Sequence, residues 1–375
     1  MNDIVFAAPG VDTAEQAALR DAVRTALARR GGSASLRAAM AATPRFDAAL
    51  WTTLAEQVGV AALAVPERFG GVGATLVESH VVLEELARSL HPVPMLGSVL
   101  ATQALLFTRD DDACARLLPP IAAGESVAAL CWADDTGWDS PGVVADGGLL
   151  TGTAHYVLDG EYADVFLVIA RSGTHTTLHE VSPDADGVSR TALPVLDPTR
   201  PLARVTFDET PSQTIAAPGD LIDRLQAVAA VAVSAEQVGV AAELLDRTVA
   251  HTGSRNQFGR PIGSFQALKH RMADMFVAVE SARSISYAAA HSLVRDVGST
   301  DGGSPVGPDT TIASARIHCA RAAASVAGEA VQMHGGIGIT WEHDVHLYFK
   351  RAHTGAQLFG RPQRETDGLA RSLGL

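Results

Sequence analysis

The strongest structural signal in this chain is a run from residue 221 to about residue 252 that contains no proline and is apolar on more than one helical face. Two further long helices are predicted, at 262 to about 295 and at 310–334, with a loop at 298–308 between them. Long helices joined by short loops are typical of an antiparallel bundle. Because a helix that is apolar all round must be covered on every side, we expect bundles from several chains to pack together.

The two remaining segments have different periodicities. Residues 1–120 repeat apolar positions at helical spacing, which predicts helices at 14–29, 36–58, 76–90 and 99–107. The following residues contain short runs of β-forming side chains, at 127–132, 149–158, 165–171 and 203–207, separated by Gly, Asp, Pro and Ser clusters. The sequence therefore predicts a mainly α fold with a central β domain, a small barrel or sandwich, in three domains: 1–120, 121–218 and 219–375.

Charge and cysteine usage narrow the class of protein. The 375-residue chain has 29 basic and 42 acidic side chains, a net charge of −13, and no basic stripe, which argues against a nucleic-acid partner. Its three cysteines are far apart, so no disulfide framework is indicated. The first residues lack the pattern of a secretory signal, and no apolar stretch has the length of a membrane span. We therefore expect a cytoplasmic protein.

Two motifs could bind a ligand. The first, R-N-Q-F-G-R-P-I-G-S at residues 255–264, lies between two long helices. Its Arg and Gln side chains could present a charged fork and an amide to a phosphate, and its Phe could offer an apolar face. The alternative is a plain inter-helix turn in which Ser264 caps the next helix.

The second motif, Q-M-H-G-G-I-G at residues 332–338, closes the third long helix. Its paired glycines permit positive φ angles and let a ligand approach the backbone closely. The alternative is an ordinary glycine C-cap.

With these two motifs in this order and spacing, the chain resembles the acyl-CoA dehydrogenase family over nearly its whole length. The similarity extends through residues 63–71, 150–165, 255–266 and 332–348. The resemblance implies the helix–strand–helix fold of that family, a tetramer with C-terminal helices at its centre, and FAD-dependent α,β-dehydrogenation of an acyl-CoA thioester.

The resemblance also assigns roles to individual residues. The family's R-x-x-F-G arginine, which contacts the pyrophosphate of a neighbouring subunit's FAD, falls on Arg255, and Gln257 and Phe258 line the same stretch. The family's Q-x-x-G-G, which contacts the adenine half of that FAD, falls on Gln332, Gly335 and Gly336.

The positions that serve a chain's own flavin ring depart from the family pattern. Members usually carry T-E-P-x-x-G-S-D in the strand segment, whereas residues 132–139 are W-A-D-D-T-G-W-D. The family's W-I-T threonine, whose hydroxyl lies near flavin N5, falls on Leu158, which has no hydroxyl group.

The catalytic base is also missing from both positions at which the family places it. Most members hold a glutamate before a glycine near the C-terminus, and that position falls on Phe359. A smaller group draws its glutamate from the first long C-terminal helix, at the position of Ala229. Glu236 lies about 10 Å further along that helix, too far to substitute without rearrangement. The reaction needs a carboxylate at the α-proton, so no catalytic residue is assigned to this chain.

Metal and nucleophilic sites are not indicated elsewhere. His343 and His346 have the spacing of a metal pair on one helix face, but no third ligand is evident.

Three functions stay open. The first is a subunit without a base in a hetero-oligomeric acyl-CoA dehydrogenase, of the type that acts on bulky substrates such as steroid side-chain thioesters, paired with a homologous base-bearing subunit. The second is a self-sufficient FAD-dependent dehydrogenase with an unrecognised base. The third is a flavin-free binding or structural homologue.

Overall fold

The computed structural model describes residues 12–298 and 310–372, and the predicted order of helices, strands and helices is confirmed. The predicted loop at 298–308 lies almost wholly outside the described residues. The first segment consists of α1 (Ala14–Arg30), α2 (Gly32–Ala41), α3 (Ala48–Thr53), α4 (Leu76–Ala87), α5 (Met95–Thr108) and α6 (Asp111–Ala122).

The predicted continuous helix at 36–58 is wrong. The chain leaves α2 after Ala41, passes Pro44, and re-enters a helix only after Asp47, whose carboxylate accepts a hydrogen bond from the Leu50 amide at 3.1 Å. Proline has no N–H to donate and disfavours helical backbone in the residue before it, so the helix ends there. Asp47 then serves as the N-cap of α3.

The central segment folds into one mixed eight-stranded sheet within the described residues. Its strands are β1 (Ala128–Cys131), β2 (Val143–Asp146), β3 (Leu149–Leu158), β4 (Val165–Ser172), β5 (His175–Val181), β6 (Val188–Ala192), β7 (Leu202–Pro211) and β8 (Gln213–Ile215). Their order is β6-β7-β3-β2-β4-β5-β8, with β1 paired to β4. Strands β1 and β2 run parallel to β4, but strands rather than crossover helices connect them. The central β segment is thus confirmed, and Phe166 and Phe207 meet edge to face in its core.

The C-terminal segment consists of α7 (Leu221–Ser254), α8 (Gln266–Gly298), α9 (Thr310–His334), α10 (Val345–Gly355) and α11 (Pro362–Ser372). Of the helices in the described ranges, α7 alone is long and apolar enough to cross a membrane, and 83% of its apolar window is buried inside the fold. Burial among other helices therefore accounts for the apolar character of α7. On α8, Met275 and Val279 are buried, whereas Phe276 is exposed.

The chain divides into two compact units. The helical unit contains the chain up to Thr25, His80–Leu90 and the chain from Ala230 onward, and the sheet unit contains Ala26–Ser79 and His91–Ala229. Within the helical unit, Glu84 of α4 is buried between Arg20 of α1, at 3.3 Å, and Arg283 of α8, at 3.0 Å. The domain boundaries at 120/121 and 218/219 stay a prediction.

Candidate functional site

The first predicted ligand-binding motif forms a tight hairpin between α7 and α8. Asn256–Gln257 pairs antiparallel with Arg260–Pro261, and the two residues at the tip, Phe258 and Gly259, have φ angles of 52° and 75°. Positive φ at both central residues is the signature of a type I′ turn, whose twist matches that of the strands it joins. The turn leaves the Phe258 side chain 90% exposed.

The polar side chains of this hairpin face solvent. Arg255 and Gln257 are exposed, and the Arg255 guanidinium forms no ion pair with any described residue. The backbone of Arg255 is fixed, since its amide donates to His251 O at 2.9 Å and its carbonyl accepts from the Ile262 amide at 2.8 Å. The hairpin therefore presents an uncommitted cation on an anchored backbone.

The predicted capping of α8 by Ser264 is wrong, although the segment does form a tight turn between the two helices. Helix α8 begins at Gln266, and the Ser264 hydroxyl donates to Pro261 O at 2.6 Å, which closes the hairpin rather than the helix. The Arg260 guanidinium lies 4.0 Å from the centre of the Phe265 ring, and Phe258 meets the same ring edge-on at 6.0 Å. These ring contacts stiffen the turn.

The second motif ends α9, as the sequence predicts. Gly335 has a φ of 64°, which favours glycine. Gly336 has no such requirement, and a Cβ built there would meet no heavy atom of the described chain within 4 Å. Gly338 differs, because a Cβ there would lie 3.0 Å from His334 Cβ and 3.1 Å from Val331 O. Neither backbone conformation nor packing within the described residues requires glycine at 336, so the backbone there is open to close approach by a ligand.

Both motifs are joined by a cluster of three histidines, which we call the histidine cluster: His251, His334 and His343. His251 lies one helical turn before Arg255, and its ring stacks on that of His334 with centroids 4.4 Å apart. His343, just before α10, is tilted against His334 at 4.7 Å. The cluster brings Arg255 and the Gly335–Gly336 turn to one edge of the helical unit. We call this edge, formed by the hairpin that begins at Arg255 and by the Gly335–Gly336 turn, the lending edge.

Sequence reasoning missed this cluster. It considered only His343 with His346, but the His346 ring packs against Trp341 at 4.7 Å instead. The signal that could have found it was a histidine one helical turn before the first motif and another within the second. Among the described residues, no group of three or more His, Cys, Asp and Glu side chains is arranged to hold a metal ion.

The histidine cluster is held in its neutral form. Burial first, and then the neighbouring His251, His343 and Arg247, lower the pKa of His334 to about 4, against the opposing effect of its hydrogen bond to Ala330 O. Burial, followed by the charge of Arg255, lowers the pKa of His251, and burial with Arg247 lowers that of His343. His334 Nδ1 lies 2.7 Å from Ala330 O and donates to it, whereas its buried Nε2 has no hydrogen-bond partner among the described residues.

The two positions at which the family places its base carry apolar side chains here. Ala229 is fully buried on α7. Phe359 is half-buried and has a φ of 61°, followed by Gly360 at 113°. The buried Arg316 of α9 donates to the carbonyls around this turn, at 2.8 Å to Leu358 and 3.2 Å to Gly360. The turn is thus a defined structure that presents a benzyl group instead of a carboxylate.

The loop at residues 132–139 closes on itself. Asp134 accepts hydrogen bonds from the Thr136 amide and hydroxyl, each at 2.7 Å, and from the Gly137 amide at 3.0 Å. These bonds, the Thr136 side chain first, hold the pKa of Asp134 below its usual range. Trp138 packs against Tyr156 of β3 at 5.2 Å. The Thr136 hydroxyl is therefore already bonded within the loop. Leu158, at the end of β3, is buried.

Two domain families known from other proteins match most of this chain. The acyl-CoA dehydrogenase N-terminal domain matches residues 13–125, and the acyl-CoA dehydrogenase C-terminal domain matches residues 223–374.

Individual proteins match along nearly the whole chain. Acyl-CoA dehydrogenase IpdE2 of Mycobacterium tuberculosis is 40% identical over 351 residues, which cover 93% of this chain and 94% of that protein. Its counterpart from Mycolicibacterium smegmatis is 39% identical over 355 residues, covering 95% and 97%. A chain in the crystal structure of the ChsE4-ChsE5 complex from M. tuberculosis superposes with a TM-score of 0.87 at 27% identity, covering 97% of this chain and 98% of that one.

Proposed function

Because this chain belongs to the acyl-CoA dehydrogenase family, we propose that it is the subunit without a catalytic base in a hetero-oligomeric enzyme that dehydrogenates an acyl-CoA thioester. In this role it completes the FAD site of a homologous, base-bearing partner. Its own residues bind and orient the flavin nucleotide, and the partner contributes the residues that act on the substrate.

The absence of a proton acceptor at both base positions carries the proposal. Removal of the acidic α-proton needs a carboxylate within hydrogen-bonding reach of it, and neither Ala229 nor Phe359 has one. The Phe359 turn is fixed by Arg316 and is not an unformed loop, so a different local conformation does not supply the missing group. The self-bonded loop at 132–139 and the buried Leu158 support the same reading, since their polar groups are absent or already engaged.

The lending edge fits the non-reacting end of FAD. Arg255 offers an unpaired guanidinium suited to a pyrophosphate, and Gln257 and Gln332 offer exposed amides. The exposed Phe258 ring offers an apolar face, and the open space over Gly335 and Gly336 admits a flat adenine against the backbone. When bound, FAD supplies the oxidising ring that takes up hydride from the substrate.

The surface of the helical unit favours assembly. Most of the large apolar side chains left exposed in the described chain belong to its C-terminal segment. Exposed apolar surface of this kind is typical of protein interfaces. The similarity to a chain of the ChsE4-ChsE5 complex supports a homologous dehydrogenase as the partner, and we expect a tetramer.

The test compares this chain purified alone with the same chain co-expressed with a base-bearing homologue from its own genome. We expect the lone chain to show no acyl-CoA dehydrogenation with an artificial electron acceptor, and Phe359→Glu to leave it inactive, because Leu158 and the loop at 132–139 stay unchanged. The mixed oligomer should be active and hold about one FAD for every two chains, by absorbance against protein concentration.

Turnover by the lone chain with one FAD per chain would contradict the proposal and favour a self-sufficient dehydrogenase. A mixed oligomer whose flavin content equals that of the partner alone would instead favour a flavin-free role for this chain.

A further inference from the structure

The histidine cluster forms a contact between helices that protonation of its rings would weaken. It connects the end of α7, the end of α9 and the start of α10 by ring contacts at 4.4 to 6.4 Å. His251 lies one turn before Arg255, and His334 directly precedes Gly335. A separation of these rings would therefore move both halves of the lending edge.

The surroundings of the cluster oppose a positive charge. Arg247 on α7 and Arg255, directly after the end of α7, are cations whose charges act on these rings. The nearby carboxylates are already engaged by Arg247, whose Nε lies 2.9 Å from Glu243 Oε1 and whose Nη1 lies 3.8 Å from Asp344 Oδ2. Glu243 also pairs with Arg88, directly after the end of α4, at 3.0 Å. Protonation of the cluster would thus add like charges beside two arginines, one of which already holds the local carboxylates.

His334 is the ring least able to accept a proton where it lies. Its Nδ1–H is bonded to Ala330 O, and a proton on the buried Nε2 would find no acceptor in residues 12–298 and 310–372. An unsatisfied buried donor that also carries charge is costly, so proton uptake requires the rings to separate.

We propose that the histidine cluster is a positioning device for the flavin nucleotide, which holds Arg255 and the Gly335–Gly336 turn in register while its imidazoles are neutral and releases them when they are protonated. The proposal rests on the proposed function of the lending edge. The closed arrangement is then most stable above the ordinary pKa of histidine and loses stability progressively as the pH falls below it.

The size of the effect follows from proton linkage. With the pKa of His334 at about 4 in the closed cluster against 6.5 when free, the opening equilibrium increases about tenfold between pH 7.5 and pH 5.5. Little change is expected above pH 7.5, since both states are then unprotonated at this ring.

The first experiment needs neither flavin nor partner. Hydrogen–deuterium exchange of the full-length chain is measured at pH 7.5 and pH 5.5, corrected for intrinsic rates, in peptides covering residues 252–265 and 332–344. We expect protection of both peptides to fall about tenfold at pH 5.5 in the wild type. The fall should be absent in His334→Phe and reduced in His251→Phe, which keep a ring but cannot titrate. His318→Gln, on the exposed side of α9, is the matched control and should behave as wild type.

The second experiment measures FAD affinity of the mixed oligomer by flavin fluorescence at the same two pH values. Affinity should weaken about tenfold at pH 5.5 in the wild type and change less than twofold in His334→Phe. Equal protection of these peptides at both pH values would contradict the proposed opening of the histidine cluster. Loss of protection with unchanged FAD affinity would instead overturn the placement of FAD at this edge, and with it the proposed function. Tighter FAD binding in acid would also refute the proposal, because it would mean that the protonated rings bind the phosphates directly.

Discussion

At the scale of single residues, Gly336 and Gly338 have different surroundings although they lie two positions apart. Gly338 is enclosed, because any side chain there would press on His334 Cβ and Val331 O. Gly336 is open, and the described part of this chain places nothing near it. Packing within the chain explains the glycine at 338, whereas the glycine at 336 leaves the backbone open to the ligand that the proposed function requires.

These two glycines give a matched pair of substitutions. Gly338→Ala should lower the melting temperature, since a contact of 3.0 Å forces the end of α9 to shift. Gly336→Ala should leave the melting temperature of the lone chain unchanged but reduce FAD retention of the mixed oligomer. Differential scanning fluorimetry and flavin absorbance after gel filtration measure the two effects. Equal flavin retention in Gly336→Ala and wild type would argue against a ligand at that position.

Arg255 provides the second residue-scale prediction. Its guanidinium is exposed and pairs with no described carboxylate, so Arg255→Ala should not alter folding stability. If it binds the pyrophosphate, the substitution should weaken flavin retention by about 1.5–3 kcal/mol, the usual contribution of a hydrogen bond to a charged group. Arg204→Ala, an exposed arginine on β7, is the control for the change in net charge. Matching FAD dissociation constants for the two variants would defeat the assignment.

At the scale of elements, α7 organises the helical unit because one of its glycines allows close packing. A Cβ at Gly239 would lie 2.0 Å from the carbonyl oxygen of Glu84, so α4 crosses α7 at backbone distance. Nearby, Glu84 is buried between Arg20 and Arg283. The approach of α4 to α7 therefore sets the geometry in which these charges are paired.

Helix α7 itself supplies the comparison that tests this packing. Gly239→Ala should destabilise the chain by at least about 2 kcal/mol, because backbone rather than a flexible side chain stands in the way. Gly253→Ala, near the exposed end of the same helix, meets nothing within 4 Å and should stabilise it by about 0.5–1 kcal/mol through higher helix propensity. Chemical denaturation measures both. A Gly239→Ala variant as stable as wild type would mean that α4 and α7 do not pack this closely.

At the scale of the whole molecule, buried histidines couple stability to pH. His80 of α4 is fully buried, lies 2.7 Å from the Ser286 hydroxyl, and has its pKa lowered by burial to about 3. His334 has its pKa lowered to about 4. In the unfolded chain both histidines have the ordinary pKa of 6.5 and bind protons below that pH. The unfolded chain therefore binds more protons than the folded chain between pH 6.5 and about pH 3.

Stability should therefore fall as the pH decreases through this window, with about two protons taken up by these rings on unfolding at pH 5. Melting temperatures at fixed protein concentration between pH 7.5 and pH 5 give the slope. His80→Gln should reduce that slope, whereas His318→Gln, at an exposed ring, should not. A slope that His80→Gln leaves unaltered would show that this ring is protonated in the folded chain.

Local sequence pattern determined the long helices and half of the strands. The bounds of α9 are those predicted, and α7 differs by a turn at most, because helical hydrogen bonds join residues four apart and the periodicity is visible in the chain itself. Strands β1, β3, β4 and β7 were recognised because each contains a continuous run of β-forming residues. Strands β2, β5, β6 and β8 and helices α6, α10 and α11 were not, because their residues are few or polar and pairing with neighbours decides their structure.

The residues of the candidate site were likewise predictable from the sequence only in part. Arg255, Gln332 and the glycine pair were recognised from motif and spacing, since each motif is continuous in the chain. Only the tertiary structure brought His251 to His334, because contacts between residues far apart in sequence depend on how helices pack. It likewise decided that Gly336 is open while Gly338 is filled, which depends on the atoms around each Cβ and not on the residue itself.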